Sequence, residues 1–122
     1  MKSQRILVTG AAGFLGSHLC DTLLADGHSV VGVDNLCTGS LANLAQMTRQ
    51  SSFSLIEQDI SKPFDCGPVD FIFNMASPAS PIDYSRLGIE TLLVGSYGTI
   101  NTLDLARKYS AGYLHASTSE CY

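Results

Sequence analysis

The chain of 122 residues is 45% hydrophobic and 15% charged, with a formal net charge of −4. That length accommodates one domain, and the apolar fraction supports a packed core rather than a disordered tail. Seven Lys and Arg against eleven Asp and Glu argue against a nucleic-acid binder, and no apolar run approaches the ~18 residues of a membrane span. The opening Met1-Lys2-Ser3-Gln4-Arg5 runs into a short apolar stretch and a glycine cluster, which is no signal peptide. A soluble, cytoplasmic protein is expected. Cys20, Cys37, Cys66 and Cys121 form no CxxC pair, and the histidines complete no zinc spacing, so isolated reduced thiols and no metal are expected.

In chain order, Arg5–Thr9 reads as a buried strand, and a glycine cluster from Gly10 to Gly16 follows it. Phe14–Ala25 has helical periodicity with Leu15, Leu19, Leu23 and Leu24 on one face, and Gly27 is placed to end it. Residues 29–33 form a second strand running into Asp34-Asn35. Residues 41–49 suit a short helix with Ser40 as its cap. Phe53–Glu57 and residues 69–74 read as the third and fourth strands, with turns marked by Pro63 and Gly67-Pro68. Residues 77–81 (Ser-Pro-Ala-Ser-Pro) open a loop. Residues 85–109 suit one long helix, and residues 111–117 a fifth strand.

Strands alternating with helices predict an α/β domain with a doubly wound parallel sheet, spanning residues 1–122. In such sheets ligands bind beyond the carboxyl ends of the strands. The polar clusters at Gly10–Gly16, Asp34, Asp59, 74–80 and 117–120 all fall there. Gly10-x-x-Gly13-x-x-Gly16 lies between a strand and a helix. The first glycine permits a tight turn, the second lets backbone approach a pyrophosphate, and the third permits close packing of helix on strand. Asp34 stands 18 residues beyond Gly16, where a carboxylate accepts hydrogen bonds from a ribose 2′-hydroxyl. The next residues, 35–41, hold no Lys or Arg for a 2′-phosphate, so NAD is expected rather than NADP.

The glycine spacing, with Val33-Asp34-Asn35, Asp59-Ile60, Asn74-Met75-Ala76 and Ser117-Thr118-Ser119-Glu120-Cys121-Tyr122, resembles the extended short-chain dehydrogenase/reductase family. These are NAD-dependent sugar-nucleotide epimerases, dehydratases and decarboxylases. Within it, residues 76–84 and 116–120 are most similar to the UDP-glucuronate decarboxylases. The resemblance implies phosphate contacts from Gly10, Gly13, Phe14, Leu15 and Gly16, and ribose contacts from Asp34, Asn35 and Thr38. It places Asp59 and Ile60 at adenine, Ala76 and Ser77 near the nicotinamide, and Ser117 beyond the fifth strand. Pro81 and Tyr84 would face the sugar.

The implied reaction oxidises C4 of UDP-glucuronate, loses carbon dioxide from the β-keto acid, and returns the hydride from the same bound cofactor. Thr118 aligns with the family's catalytic Ser/Thr, Glu120 with an acid assisting decarboxylation, and Ser119 with the loop between. The family's base, the Tyr of a Tyr-x-x-x-Lys, has no counterpart: Tyr84, Tyr97 and Tyr109 are followed four residues later by Gly88, Asn101 and Tyr113. The expectation is therefore an N-terminal portion of a longer protein, incomplete after the fifth strand and inactive alone. The full-length form is expected to be a homodimer through the 85–109 helix. A UDP-sugar 4-epimerase, a dTDP-glucose 4,6-dehydratase and a non-catalytic NAD-binding module stand as alternatives.

Smaller features carry plain expectations. Gly95 and Gly98 should pack closely against the sheet, and His115 should be a core or edge histidine. Met75 should pack at a strand end. His18 and His28 should lie at the surface. Asp21, Asp26, Asp65, Asp70, Asp83, Glu90 and Asp104 should form a solvated face.

Overall fold

Aliphatic and β-branched runs at residues 6–8 and 30–33 supply the two central strands, because a parallel sheet covered on both faces needs side chains that are apolar on both, while the outer strands also use Phe, Tyr and polar residues. The computed structural model describes residues 2–36, 39–76 and 85–117. The strands are β1 (Arg5–Thr9), β2 (Ser29–Asp34), β3 (Phe53–Glu57), β4 (Phe71–Asn74) and β5 (Gly112–His115). They form one sheet in the order β3-β2-β1-β4-β5, with every pairing parallel. The doubly wound arrangement expected from the sequence is therefore present among the described residues.

Side chains alternate across β1 and divide the core into two layers. Ile6 and Val8 join Ala11, Ala12, Cys20 and Leu24 on the face covered by α1 (Phe14–Ala25). Leu7 joins Val31, Val33 and Ile72 on the opposite face, covered by Val94, Leu105 and Ala106. Both Leu7 and Ile72 have no exposed surface, and burying each contributes roughly 1.5–3 kcal/mol.

The helices depart from expectation in instructive ways. The buried face of α1 is Gly16, Ser17, Cys20 and Leu24, whereas Leu15 is exposed and Leu19 and Leu23 are only partly buried. Small residues face the sheet because the helix sits too close for a leucine stripe. Gly27, at φ +89°, ends α1 by donating to the Leu24 carbonyl at 3.0 Å, as expected. Residues 41–49 form two short 3-10 turns, Leu41–Leu44 and Met47–Arg49, rather than one α-helix. Leu44 and Met47 are the buried anchors, and their spacing of three matches a turn of three residues. Ser40 caps the first turn, its hydroxyl accepting from the Ala42 N–H at 3.2 Å.

The expected single helix over 85–109 is divided. An α-helical piece, α2 (Gly88–Leu93), passes through a π-helical turn, Val94–Gly98, into α3 (Thr99–Tyr109). At Gly98 an added Cβ would lie 2.8 Å from Ile60 Cδ1, so close packing holds there, against a loop side chain. At Gly95 nothing among the described residues lies within 4 Å, and the close-packing expectation fails against the sheet. The helix ends at Ser110, in the left-handed conformation with φ 52°.

Strands β4 and β5 are shorter than the expected 69–74 and 111–117. Asp70 instead clips the start of β4 to β1, donating its N–H to the Arg5 carbonyl at 2.7 Å and accepting the Arg5 N–H at 2.9 Å. Asp65 accepts from Lys108 Nζ and from the Tyr109 hydroxyl, each at 2.6 Å. Both carboxylates are exposed, but as loop clips rather than a merely solvated face. His28 is buried, correcting its surface assignment, because its Nδ1 accepts the Gln4 N–H at 3.1 Å. His18 is exposed, beside the Phe14 ring. Met75 packs at the end of β4 as expected. No helix among the described residues is long and apolar enough to cross a membrane, and none of their His, Cys, Asp or Glu side chains cluster to hold a metal.

Candidate functional site

The carboxyl ends of β1 and β4 are adjacent in the sheet, while the chain leaves β1 for one face and β4 for the other. This is the switch point at which a doubly wound sheet opens a crevice. The glycine cluster forms one side of it. Gly10 turns the chain at φ +69°, and an added Cβ would lie 2.9 Å from Ala76 Cα, so the loop rests on the exit of β4. Gly16 is tighter still: its Cβ would meet the Gly10 carbonyl oxygen at 1.9 Å. The close packing expected of the third glycine is thus helix start on strand exit.

Gly13 differs from both. Among the described residues its only neighbour within 4 Å of an added Cβ is the Gly10 oxygen at 3.3 Å, which leaves its outer side open to them. It precedes α1 without a side-chain cap, and no acidic residue lies in the first turn. Uncapped N–H groups and the positive end of a twelve-residue helix suit an anion. Phe14 and Leu15 flank this end, both exposed.

Asp34 does more than its position suggested. It is buried at the end of β2, and Oδ2 accepts the Ala12 N–H at 2.9 Å while Oδ1 accepts the Leu36 N–H at 2.7 Å. The Ala12 carbonyl in turn accepts from the Ser40 N–H at 3.1 Å and from Asn43 Nδ2 at 2.7 Å. The glycine loop is therefore held from β2 and from the segment following it. Among the described residues each Asp34 oxygen accepts one hydrogen bond, which leaves a lone pair on each for a further donor. Leu36 adopts φ 61°, turning the chain directly after Asp34-Asn35.

Asp59 lies two residues beyond β3 and caps its own turn, with Oδ1 accepting the Ser61 N–H at 2.9 Å and the Ser61 hydroxyl at 2.7 Å. Ile60 is buried against Gly98 in the second core layer. Ala76 follows β4 beneath Gly10, and Ser117 is exposed two residues after β5. The structure thus brings Gly10, Gly13, Gly16, Asp34 and Ala76 together, whereas Ile60 presents its side chain to the core. Thr38, Ser77, Pro81, Tyr84, Thr118, Ser119 and Glu120 lie outside the described residues, as do Cys37 and Cys121. The described thiols, Cys20 and Cys66, are free and buried, and burial pushes the Cys20 pKa up to about 12.

Sequence reasoning missed the polar contacts behind the crevice. Asn74 is buried, accepting from the Thr9 hydroxyl at 2.6 Å and lying 3.0 Å from the Tyr113 hydroxyl. Strand register alone aligns Thr9, Asn74 and His115, and no local motif announces it.

Sheet order, glycine loop and terminal carboxylate together define a dinucleotide-binding α/β domain. Residues 6–122 match the model of the NAD dependent epimerase/dehydratase family, and the chain belongs to that family. It is 47% identical over 119 residues to UDP-glucuronic acid decarboxylase 1 of Danio rerio, covering 98% of this chain and 28% of that protein. It is 43% identical to UDP-glucuronic acid decarboxylase 6 of Arabidopsis thaliana, covering 98% of this chain and 35% of that protein. The chain thus spans about a third or less of the length of these curated relatives. Among solved structures, a UDP-galactose 4-epimerase superposes with a TM-score of 0.81 at 32% identity, over 94% of this chain and 38% of that one. The Thermus thermophilus UDP-glucose 4-epimerase complex with NAD gives 0.69 at 28%, over 88% of this chain and 35% of that one.

Proposed function

We propose that the chain is the NAD-binding portion of a UDP-glucuronate decarboxylase. The observation that carries this reading is the glycine cradle at the switch point, open at Gly13 and tied through Ala12 to the Asp34 carboxylate. The donor set fits the cofactor. Uncapped N–H groups at the start of α1 face where a pyrophosphate would lie, and Asp34 retains acceptor capacity for ribose hydroxyls. The same carboxylate repels a 2′-phosphate, which supports NAD over NADP. When bound, NAD supplies a reversible hydride acceptor.

The chain's own residues take the roles the resemblance implies. Gly10, Gly13, Phe14, Leu15 and Gly16 bind the phosphates; Asp34, Asn35 and Thr38 bind the ribose; Asp59 and the main chain of Ile60, whose side chain is in the core, border the adenine. Ala76, Ser77 and Ser117 border the nicotinamide half, and Pro81 and Tyr84 the sugar. Thr118 hydrogen-bonds the hydroxyl being oxidised, Glu120 assists the proton steps of decarboxylation, and Ser119 supports them. The greater identity to decarboxylases, 47% against 32% for the epimerase structure, favours UDP-glucuronate as substrate. A cytoplasmic homodimer completes the proposal. It is supported by the exposed Ile89, Leu92, Tyr97, Ile100 and Leu103 along α2, the π turn and α3.

Two measurements test this. Incubating the complete gene product with UDP-glucuronate and NAD should release carbon dioxide and a UDP-pentose without net accumulation of NADH. A C4 epimer with no carbon dioxide would instead establish the epimerase alternative. Calorimetric titration with NAD should show Asp34→Asn about tenfold weaker than wild type, since a hydrogen bond to a charged group contributes roughly 1.5–3 kcal/mol. Undiminished binding would remove Asp34 from the ribose site.

A further inference from the structure

Thr9 and Asn74 have almost no exposed surface, and every proton between them has one available direction. The Thr9 hydroxyl oxygen accepts two backbone N–H groups, from Met75 at 3.0 Å and from Ala76 at 3.1 Å. Both lone pairs are then used, so its own proton goes to Asn74 Oδ1, 2.6 Å away. That contact orients the Asn74 amide, whose Nδ2 donates to the Tyr113 hydroxyl at 3.0 Å and to His115 Nδ1 at 3.2 Å. The Thr102 hydroxyl faces two carbonyl acceptors, Gly98 at 2.9 Å and Thr99 at 3.1 Å, which take its proton, so the Tyr113 hydroxyl donates to Thr102 Oγ1 at 2.8 Å. A single directional chain therefore runs from the exit of β4 through Thr9, Asn74, Tyr113 and Thr102 to the end of the π turn.

The start of this chain is the floor of the glycine cradle, since Gly10 rests on Met75 and Ala76 with no space for a methyl group. We propose that Tyr113 is a positioning residue for nucleotide binding: through Asn74 and Thr9 its hydroxyl fixes the Met75–Ala76 backbone against which Gly10 is seated. The proposal rests on the NAD-binding reading above and adds residues to that site which touch no cofactor. It also gives the π turn a role, because the Gly98 carbonyl is the terminal acceptor of the chain.

The test is NAD affinity of the complete gene product, measured by calorimetry well below each variant's melting midpoint. Tyr113→Phe should bind NAD about fivefold more weakly and Thr9→Val about tenfold, the range of one or two buried hydrogen bonds. Thr9→Ser, which keeps the hydroxyl, should restore affinity to within about twofold of wild type. The double variant Thr9→Val/Tyr113→Phe should bind no more weakly than Thr9→Val alone, because the chain is already cut. Amide resonances of Met75 and Ala76 should move in Tyr113→Phe, although the hydroxyl contacts neither residue. Unchanged affinity in Tyr113→Phe, or additive losses in the double variant, would overturn the proposal while leaving NAD binding standing. Failure of the unsubstituted protein to bind NAD would overturn both. Should Thr9→Val fail to fold, Tyr113→Phe and its amide resonances decide alone.

Discussion

The two sides of the switch point are built from different materials. On the β1–α1 side, backbone touches backbone: the Gly10 carbonyl sits where a Gly16 side chain would begin, and Asp34 holds the loop by a main-chain N–H. On the β4–β5 side, the same precision comes from side chains, as hydroxyls and an amide relay hydrogen bonds between strands and helix. The first kind of contact leaves no choice of residue, whereas the second can be cut and partly repaired. Irreplaceable residues should therefore concentrate on the glycine side.

Substitutions at the glycines test that contrast most severely. Gly16→Ala puts a carbon at 1.9 Å from a backbone oxygen, and should cost about 3 kcal/mol in denaturant unfolding and abolish NAD binding. Gly13→Ala should separate the two losses. Among the described residues its methyl meets only one atom, at 3.3 Å, so stability should change by less than about 1 kcal/mol while NAD binding falls steeply. Equal effects of the two alanines on stability would break the distinction between a packing glycine and an access glycine.

The opposite side offers gentler tests. Gly95 lies in helical backbone with open space around it, so Gly95→Ala should stabilise the protein by about 0.5–1 kcal/mol. A destabilised variant would show that the π turn itself needs glycine there. The smallest effect concerns the exposed Asp65 clip between the 58–70 segment and α3. Lys108, then the Tyr109 hydroxyl and the Gly67 N–H, hold its carboxyl well below the ordinary carboxylate value of 3.8. A pKa lowered by folding stabilises at pH above the ordinary value, and that contribution fades as pH falls below it. The thermal midpoint should therefore drop between about pH 5 and about pH 3, and Asp65→Asn should shrink the Asp65 share of that drop.

The glycine side was also the legible side. Gly10, Gly13, Gly16 and Asp34 are ordered by short sequence spacings, and each spacing has a local mechanical reason. The Thr9–Asn74–Tyr113–Thr102 relay links directly hydrogen-bonded partners up to 65 positions apart and exists only because the strands align in one register. The π turn escaped notice because one widened turn leaves the hydrophobic period of residues 85–109 almost unchanged. His28 read as surface for a related reason, since its partner is a main-chain N–H 24 positions away. The leucines of α1 misled because helix depth was set by Gly16, not by side-chain hydrophobicity.

The double duty of Asp34 has an engineering consequence. Exchanging that carboxylate for an apolar or basic residue, the obvious route toward a phosphorylated dinucleotide, strips the buried Ala12 N–H of its acceptor. Such a redesign would have to supply a new acceptor for the loop at the same time as a cation for the phosphate. Single substitutions should lose the old ligand before gaining the new one.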